Sequence, residues 1–300
     1  MTTDRAHLKD RIIPQISLGD GSSGSLTAPP PPLPCETPPA ARAQERFRIA
    51  GNAVVTGGGG GLGFAVSKAL LEHGLGGLMV FDMNPAEAHA KIRELESEFP
   101  DAKIRFLQVD VADEDGVNTA IDETVKQFGS IDIFLSFAGI VGCGPALDWS
   151  AKDWNRMLNV NTVGGFLVAR AIARNMIERG TGGSMVFVAS ISGHRVNFPQ
   201  PQVTYNVAKA GVLAMVKSLA AEWARYGIRV NSISPGYMDT ILNEGDSLDE
   251  TKKIWFTRNP LGRMGQPDEL SGAVVMLASR AGSYFTGADL LVDGGQTLFM

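Results

Sequence analysis

The run Ala53-Val54-Val55-Thr56-Gly57-Gly58-Gly59-Gly60-Gly61-Leu62-Gly63-Phe64 decides how the rest of the chain is read. A β-branched apolar stretch gives way to glycines, and an amphipathic pattern then runs from Leu62 to about His73. Glycines at such a junction permit a tight turn and let backbone N–H groups approach a diphosphate at a helix N-terminus. The run fits two registers: G-x-G-x-x-G through Gly58, Gly60 and Gly63, or T-G-x-x-x-G-x-G through Thr56, Gly57, Gly61 and Gly63. Glycines alone suit a flexible loop equally well. Their place between strand and helix, with an acid closing the next strand, points to nucleotide binding.

That acid is Asp82, at the end of Leu78-Met79-Val80-Phe81. A carboxylate there accepts hydrogen bonds from the adenosine ribose hydroxyls and repels a 2′-phosphate. No Arg or Lys lies within residues 82–90 to attract that phosphate, so NAD is expected rather than NADP. An aspartate that only caps the turn before Pro85 is the plainer reading. Asp110, in Val109-Asp110-Val111, invites the same choice between an adenine contact and the start of a helix.

Outward from this core, short β-branched runs alternate with amphipathic ones. Ala53–Thr56, Leu78–Phe81, Ile104–Val109, Ile131–Ser136, Ser184–Ser190, Arg229–Ser234 and Ala288–Val292 read as strands. The intervening helices are expected at Leu62–His73, Pro85–Phe99, Asp113–Phe128, Lys152–Glu178, Val203–Tyr226 and Asp268–Ser279. Strands alternating with helices predict an α/β fold: one doubly wound, Rossmann-like domain over residues 47–300, with a seven-stranded parallel sheet and helices on both faces. Ligands of such sheets sit beyond the carboxyl ends of the strands.

Residues 1–46 differ. They hold eight of the 16 prolines, a Gly/Ser patch at Asp20–Ser25 and few aromatic residues, and are expected to form a flexible tail. They lack the apolar core of a signal peptide, and their acids balance their bases. A cytoplasmic protein is expected. The 300 residues carry 27 basic and 32 acidic side chains with no basic stripe, which argues against nucleic acid as a partner. No apolar run is long enough for a membrane helix. Cys35 and Cys143 stand far apart, so neither a disulfide framework nor a metal site is expected.

The chemistry is sought at Tyr205-Asn206-Val207-Ala208-Lys209. The i, i+4 spacing puts phenol and ammonium on one helix face. An ordinary phenol is too weak an acid to exchange protons near pH 7. A neighbouring cation is expected to lower its pKa and fit it for carbonyl reduction or alcohol oxidation.

With the glycine run, an upstream serine and Asn231-Ser232-Ile233-Ser234-Pro235-Gly236, this pair resembles the short-chain dehydrogenase/reductase family from about Gly51 to Gly295. The resemblance implies a serine that hydrogen-bonds the substrate oxygen. Ser190 is favoured by its distance from a following glycine, Ser192 by its interval to Tyr205, and Ser190 is taken here. It further implies that Asn161 holds a water in a proton relay, and that Lys209 binds the nicotinamide ribose. The cofactor contacts implied are Thr56, Gly57, Gly61, Leu62, Gly63, Asp82, Asp110, Val111, Ala138, Gly139, Tyr205, Lys209, Pro235, Gly236 and Thr240. One departure is Phe137 in Ser136-Phe137-Ala138-Gly139, where the family often has an asparagine whose amide steadies the neighbouring backbone.

Residues 192–202, Leu261–Met264 and Val292–Gly295 are similar to those of fungal polyol dehydrogenases and ketose reductases, D-arabinitol 2-dehydrogenases among them. The implied reaction is alcohol–ketone interconversion on a small-molecule polyol or ketose, with His194, Asn197, Gln200 and Gln202 as candidate polar contacts. Residues 240–260 are a candidate lid, with Trp255 an anchor or core residue and Cys143 at the cleft mouth. Tetramer or dimer formation is implied through Lys152–Glu178, Val203–Tyr226 and the last strand. The rival readings are the same chemistry on a larger secondary metabolite, and a non-catalytic nucleotide-binding scaffold.

Overall fold

Strands β1 (Asn52–Thr56), β2 (Gly77–Asp82), β3 (Lys103–Gln108), β4 (Ile133–Ser136), β5 (Gly183–Val188), β6 (Ile228–Pro235) and β7 (Asp289–Val292) form one seven-stranded sheet in a computed structural model that describes residues 12–243, 245 and 248–298. Its order is β3-β2-β1-β4-β5-β6-β7, and every pairing is parallel. The order reverses between β1 and β4, which opens a crevice at their carboxyl ends.

The central strands are apolar on both faces because helices cover both. Along β1, Val54 faces one apolar cluster and Val55 the other, as the two-residue period requires. The first cluster takes in Val117, Ile172 and Val216 from α4 (Glu114–Phe128), α6 (Gly165–Arg179) and α7 (Val203–Trp223). The second takes in Leu70, Ile92 and Val274 from α2 (Gly61–Glu72), α3 (Pro85–Glu98) and α9 (Ser271–Ala278). Phe134 and Phe187, on adjacent strands, meet edge to face at 5.7 Å. Each fully buried side chain of this kind contributes roughly 1.5–3 kcal/mol.

Two expectations need correction. The stretch read as one helix, Lys152–Glu178, is α5 (Ala151–Leu158), a π-helical turn over Asn159–Gly164, and then α6. Ser150 caps α5 by accepting from the Asp153 N–H. The tail is also less featureless than expected, since Pro39–Phe47 forms helix α1. Proline in its first turn is preset for helix, and Ala40, Ala41, Ala43 and Gln44 are good helix formers, a local preference that average composition hides. Upstream of α1, the Arg280 guanidinium donates to the Pro31 carbonyl. Residues 1–11 lie outside the described residues.

Candidate functional site

At the carboxyl end of β1 the glycines do separate jobs. Gly57 has φ +69°, and a Cβ there would come within 2.7 Å of the Ala138 nitrogen. A Cβ on Gly63 would come within 2.2 Å of the Gly57 carbonyl oxygen. Gly63 belongs to both registers, whereas Gly57, with its positive φ, belongs only to T-G-x-x-x-G-x-G. Gly61 is different: a Cβ there would meet only Thr240, at 3.5 Å, so its side faces open space rather than protein. No side chain caps the first-turn N–H groups of α2. An uncapped helix N-terminus beside open space fits the diphosphate of a dinucleotide.

The surrounding side chains tie this loop down. Thr56 Oγ1 accepts from the N–H groups of Phe137 and Ala138, 3.2 Å each, and its carbonyl accepts from Phe137 at 3.1 Å. The backbone at Phe137 is therefore held from β1, and its ring packs against the second apolar cluster. Asp82 accepts from the Gly59 N–H and the Asn84 N–H, 3.0 Å each, so it braces the glycine loop as well as the turn before α3. Asp110 is exposed and accepts from the Ala112 N–H at 2.9 Å, which braces the turn before α4; the residue at the start of that helix is Asp113. Val111 is buried beneath Gly164.

On α7, Tyr205 and Lys209 face the interior, with Lys209 Nζ 5.6 Å from the Tyr205 ring centre. Nζ donates to the Val188 carbonyl at 2.8 Å. Burial lowers the Lys209 pKa to about 8. The Tyr205 phenol moves opposite to expectation: burial raises it to about 12, and the Ser190 hydroxyl facing it lowers it only in part. Removing water disfavours both charged forms. Ser190 Oγ also accepts from the Ser192 N–H at 3.1 Å, so Ser192 follows it in a tight turn, Ile191–Gly193. Of the two serines, Ser190 is the one that faces the phenol.

The π-helical turn carries Asn161. Its Nδ2 donates to the carbonyls of Ile140 and Met157, 2.9 and 3.0 Å, and its Oδ1 accepts from the Ile140 N–H at 3.2 Å. A Cβ on Gly139 would come within 2.7 Å of that Oδ1 and 3.8 Å of Lys209 Nζ. Only glycine lets the chain after β4 slip between Asn161 and Lys209.

Ser190 and Tyr205 open onto a cavity of about 310 Å³ that Leu62, Pro235, Gly236 and Thr240 also line. Leu62, Pro235, Gly236 and Thr240, expected on the dinucleotide side, thus share one cavity with Ser190 and Tyr205. Asn197, Gln200, Gln202 and Cys143 line it too. His194 does not: its Nε2 lies 2.9 Å from Asp289 Oδ2 and 3.1 Å from Ser234 Oγ, tying the loop to β6 and β7. Trp255, on α8 (Asp249–Thr257), is buried and stacks on Tyr237 at 3.8 Å with 8° between the rings. Tyr237 was missed in the sequence, although it follows Pro235-Gly236 directly.

A family profile described as Enoyl-(Acyl carrier protein) reductase matches residues 58–297. The NADP-dependent mannitol dehydrogenase of Hypocrea jecorina is 39% identical over 88% of this chain and 99% of its own length. The ribulose-forming D-arabinitol 2-dehydrogenase of Scheffersomyces stipitis is 37% identical over 83% of this chain and 95% of its own. The NADH-dependent L-xylulose reductase of Ambrosiozyma monospora is 38% identical over 84% and 97%. A solved short-chain type dehydrogenase/reductase from Mycobacterium marinum superposes with a TM-score of 0.80 at 37% identity, covering 84% of this chain and 98% of that one. Sequence, fold and site together make the chain a member of the short-chain dehydrogenase/reductase family.

Proposed function

We propose that the protein interconverts a secondary hydroxyl of a polyol and the ketone of the matching ketose, using a nicotinamide dinucleotide and preferring NAD. The observation that carries this reading is the cavity itself, where Ser190 and Tyr205 face Leu62 and Thr240 from the dinucleotide side. The glycine loop and the opening turn of α2 would hold the diphosphate, and Asp82 the adenosine ribose. Pro235, Gly236 and Thr240 would flank the nicotinamide, which supplies or accepts the hydride when bound.

The chain's own residues handle the proton. With its pKa near 12, Tyr205 keeps its proton at neutral pH and can donate it to the oxygen of a ketone. Ser190 holds that oxygen against the phenol. Lys209, held by the Val188 carbonyl, stands behind Tyr205 with its charge intact below about pH 8. Asn161, braced by Ile140 and Met157, fixes the backbone that borders Lys209.

Support for NAD comes from Asp82 and from the lack of Arg and Lys in residues 82–90; the name of the mannitol relative weighs the other way. Exposed Leu291 on the edge strand β7, with exposed Tyr284 before it, supports a homo-oligomer, whose order light scattering reads. A panel of polyols and ketoses run with NAD(H) and NADP(H) tests the proposal. Turnover of D-arabinitol or a ketose, faster with NAD(H), is expected; turnover only of simple or lipophilic alcohols would refute the substrate class. Asp82→Ala with Met83→Arg should shift the cofactor ratio toward NADP about tenfold, and an unchanged ratio would remove Asp82 from its role.

A further inference from the structure

Tyr237 plays no part in the proton path, yet more polar side chains converge on its hydroxyl than on the catalytic phenol. Its ring is fixed by the stack on buried Trp255. The Trp255 indole N–H donates to Gln200 Oε1 at 3.2 Å. An indole nitrogen can only donate, so this bond settles which way the Gln200 amide faces. Gln200 Nε2 then donates to the Tyr237 oxygen at 3.1 Å, and Asn197 Nδ2 donates to the same oxygen at 3.2 Å.

A phenol has one proton and two places to accept. Both accepting places are taken, so the Tyr237 O–H points away from the two amides. Among the described residues, Asn197 Oδ1 is buried and has no partner. Turning the Asn197 amide over does not mend this, because its oxygen would take the phenol proton but its NH₂ would be stranded instead. As placed, the cluster leaves the phenol proton and Asn197 Oδ1 to be paired, and turned over it leaves the NH₂; buried polar groups are rarely left so. Tyr237 and Asn197 both line the cavity that holds Ser190 and Tyr205. The group that completes such a cluster is one that can give and take a hydrogen bond: an alcohol.

We propose that Tyr237, oriented by Gln200, Asn197 and Trp255, is a specificity-determining residue that binds a second hydroxyl of the substrate, away from the carbon that is oxidised or reduced. This rests on the polyol–ketose reading and deepens it, since it explains how the site selects a polyhydroxylated chain over a simple alcohol. Sites that hydrogen-bond a substrate hydroxyl discriminate strongly against analogues that lack it.

The test pairs Tyr237→Phe, which keeps the stack and removes only the hydroxyl, with deoxy substrates. The best-turned-over ketose among D-fructose, D-ribulose and D-xylulose is compared with analogues lacking one hydroxyl remote from the carbonyl. In the wild-type protein one analogue should lose at least about tenfold in kcat/KM. Tyr237→Phe should lower kcat/KM for the parent ketose by the same factor, mostly through KM, and leave that analogue unaffected. Dinucleotide binding of the variant should match wild type. The proposal is overturned if the variant still discriminates against every deoxy analogue, or if parent and analogue fall together. Should the wild-type protein reduce 2-octanone but no ketose, the substrate reading fails and this inference with it. A ketose preference that survives Tyr237→Phe overturns only the role of Tyr237.

Discussion

Around the proposed dinucleotide site the decisive groups are backbone: the turn at Gly57, the close approach at Gly63 and the uncapped N–H groups of α2. Around the proposed substrate site they are side chains, with Asn197 and Gln200 from one loop, Tyr237 from just beyond β6 and Trp255 from α8. Backbone-built sites need glycines at fixed spacing and so leave a motif in the sequence. Side-chain-built sites need only that certain atoms meet, which many spacings satisfy. One half of the cleft can therefore be read in advance and the other has to be seen.

The sharpest separation of the halves is expected from Tyr205→Phe. Removing the phenolic proton should cost roughly a thousandfold in turnover while NADH binding, followed by fluorescence, stays within about twofold. More than a few per cent residual activity would take Tyr205 out of the proton path. Gly63→Val should do the reverse. Its side chain would be driven against the Gly57 carbonyl, 2.2 Å from where a Cβ must sit, and the loop has to move. Overpacking of this kind costs about 1–3 kcal/mol, enough to weaken dinucleotide binding roughly 10- to 100-fold by titration. Unchanged affinity would mean that the loop does not cradle the diphosphate. Trp255→Ala should raise KM for the substrate about tenfold through loss of the stack with Tyr237, with NADH affinity unaltered.

The smallest effect concerns stability. The Lys209 pKa of about 8 lies below its ordinary value of 10.5, so between those values the folded chain binds fewer protons than the unfolded one. Its contribution then becomes more favourable as pH rises through that window. Lys209→Met should be the more heat-stable protein at pH 7, with its advantage shrinking by about 1 kcal/mol per pH unit above 8. An advantage independent of pH would show that the ammonium is not strained by burial. Tyr205 works the other way: its raised pKa withdraws stability as pH climbs from 10 to 12.

Much of the architecture was legible because parallel strands covered on both faces read as unbroken apolar runs, and helices as amphipathic ones. All seven strands were expected close to where they lie. The pairing of Tyr205 with Lys209 was legible from spacing; the direction of the phenol's pKa was not, since it depends on how much protein surrounds both groups. His194 had suitable chemistry for the cleft, but the tight turn at Ile191–Gly193 sends it to Asp289. Tyr237 and Trp255 lie 18 positions apart, and no periodicity announces that they stack. Helix α1 was hidden by the prolines that precede it.

The π-helical turn at Asn159–Gly164 amounts to one surplus residue threaded into an otherwise regular coil. Each residue advances a helix by about 100°, so the surplus decides the bearing of Asn161 relative to the helices on either side. Cutting a single position there would straighten the coil, swing the amide out of its groove between Ile140 and Met157, and misalign α6 against α4. Chain length at this spot is thus as tightly constrained as residue identity, and an insertion or deletion there would do more harm than most substitutions.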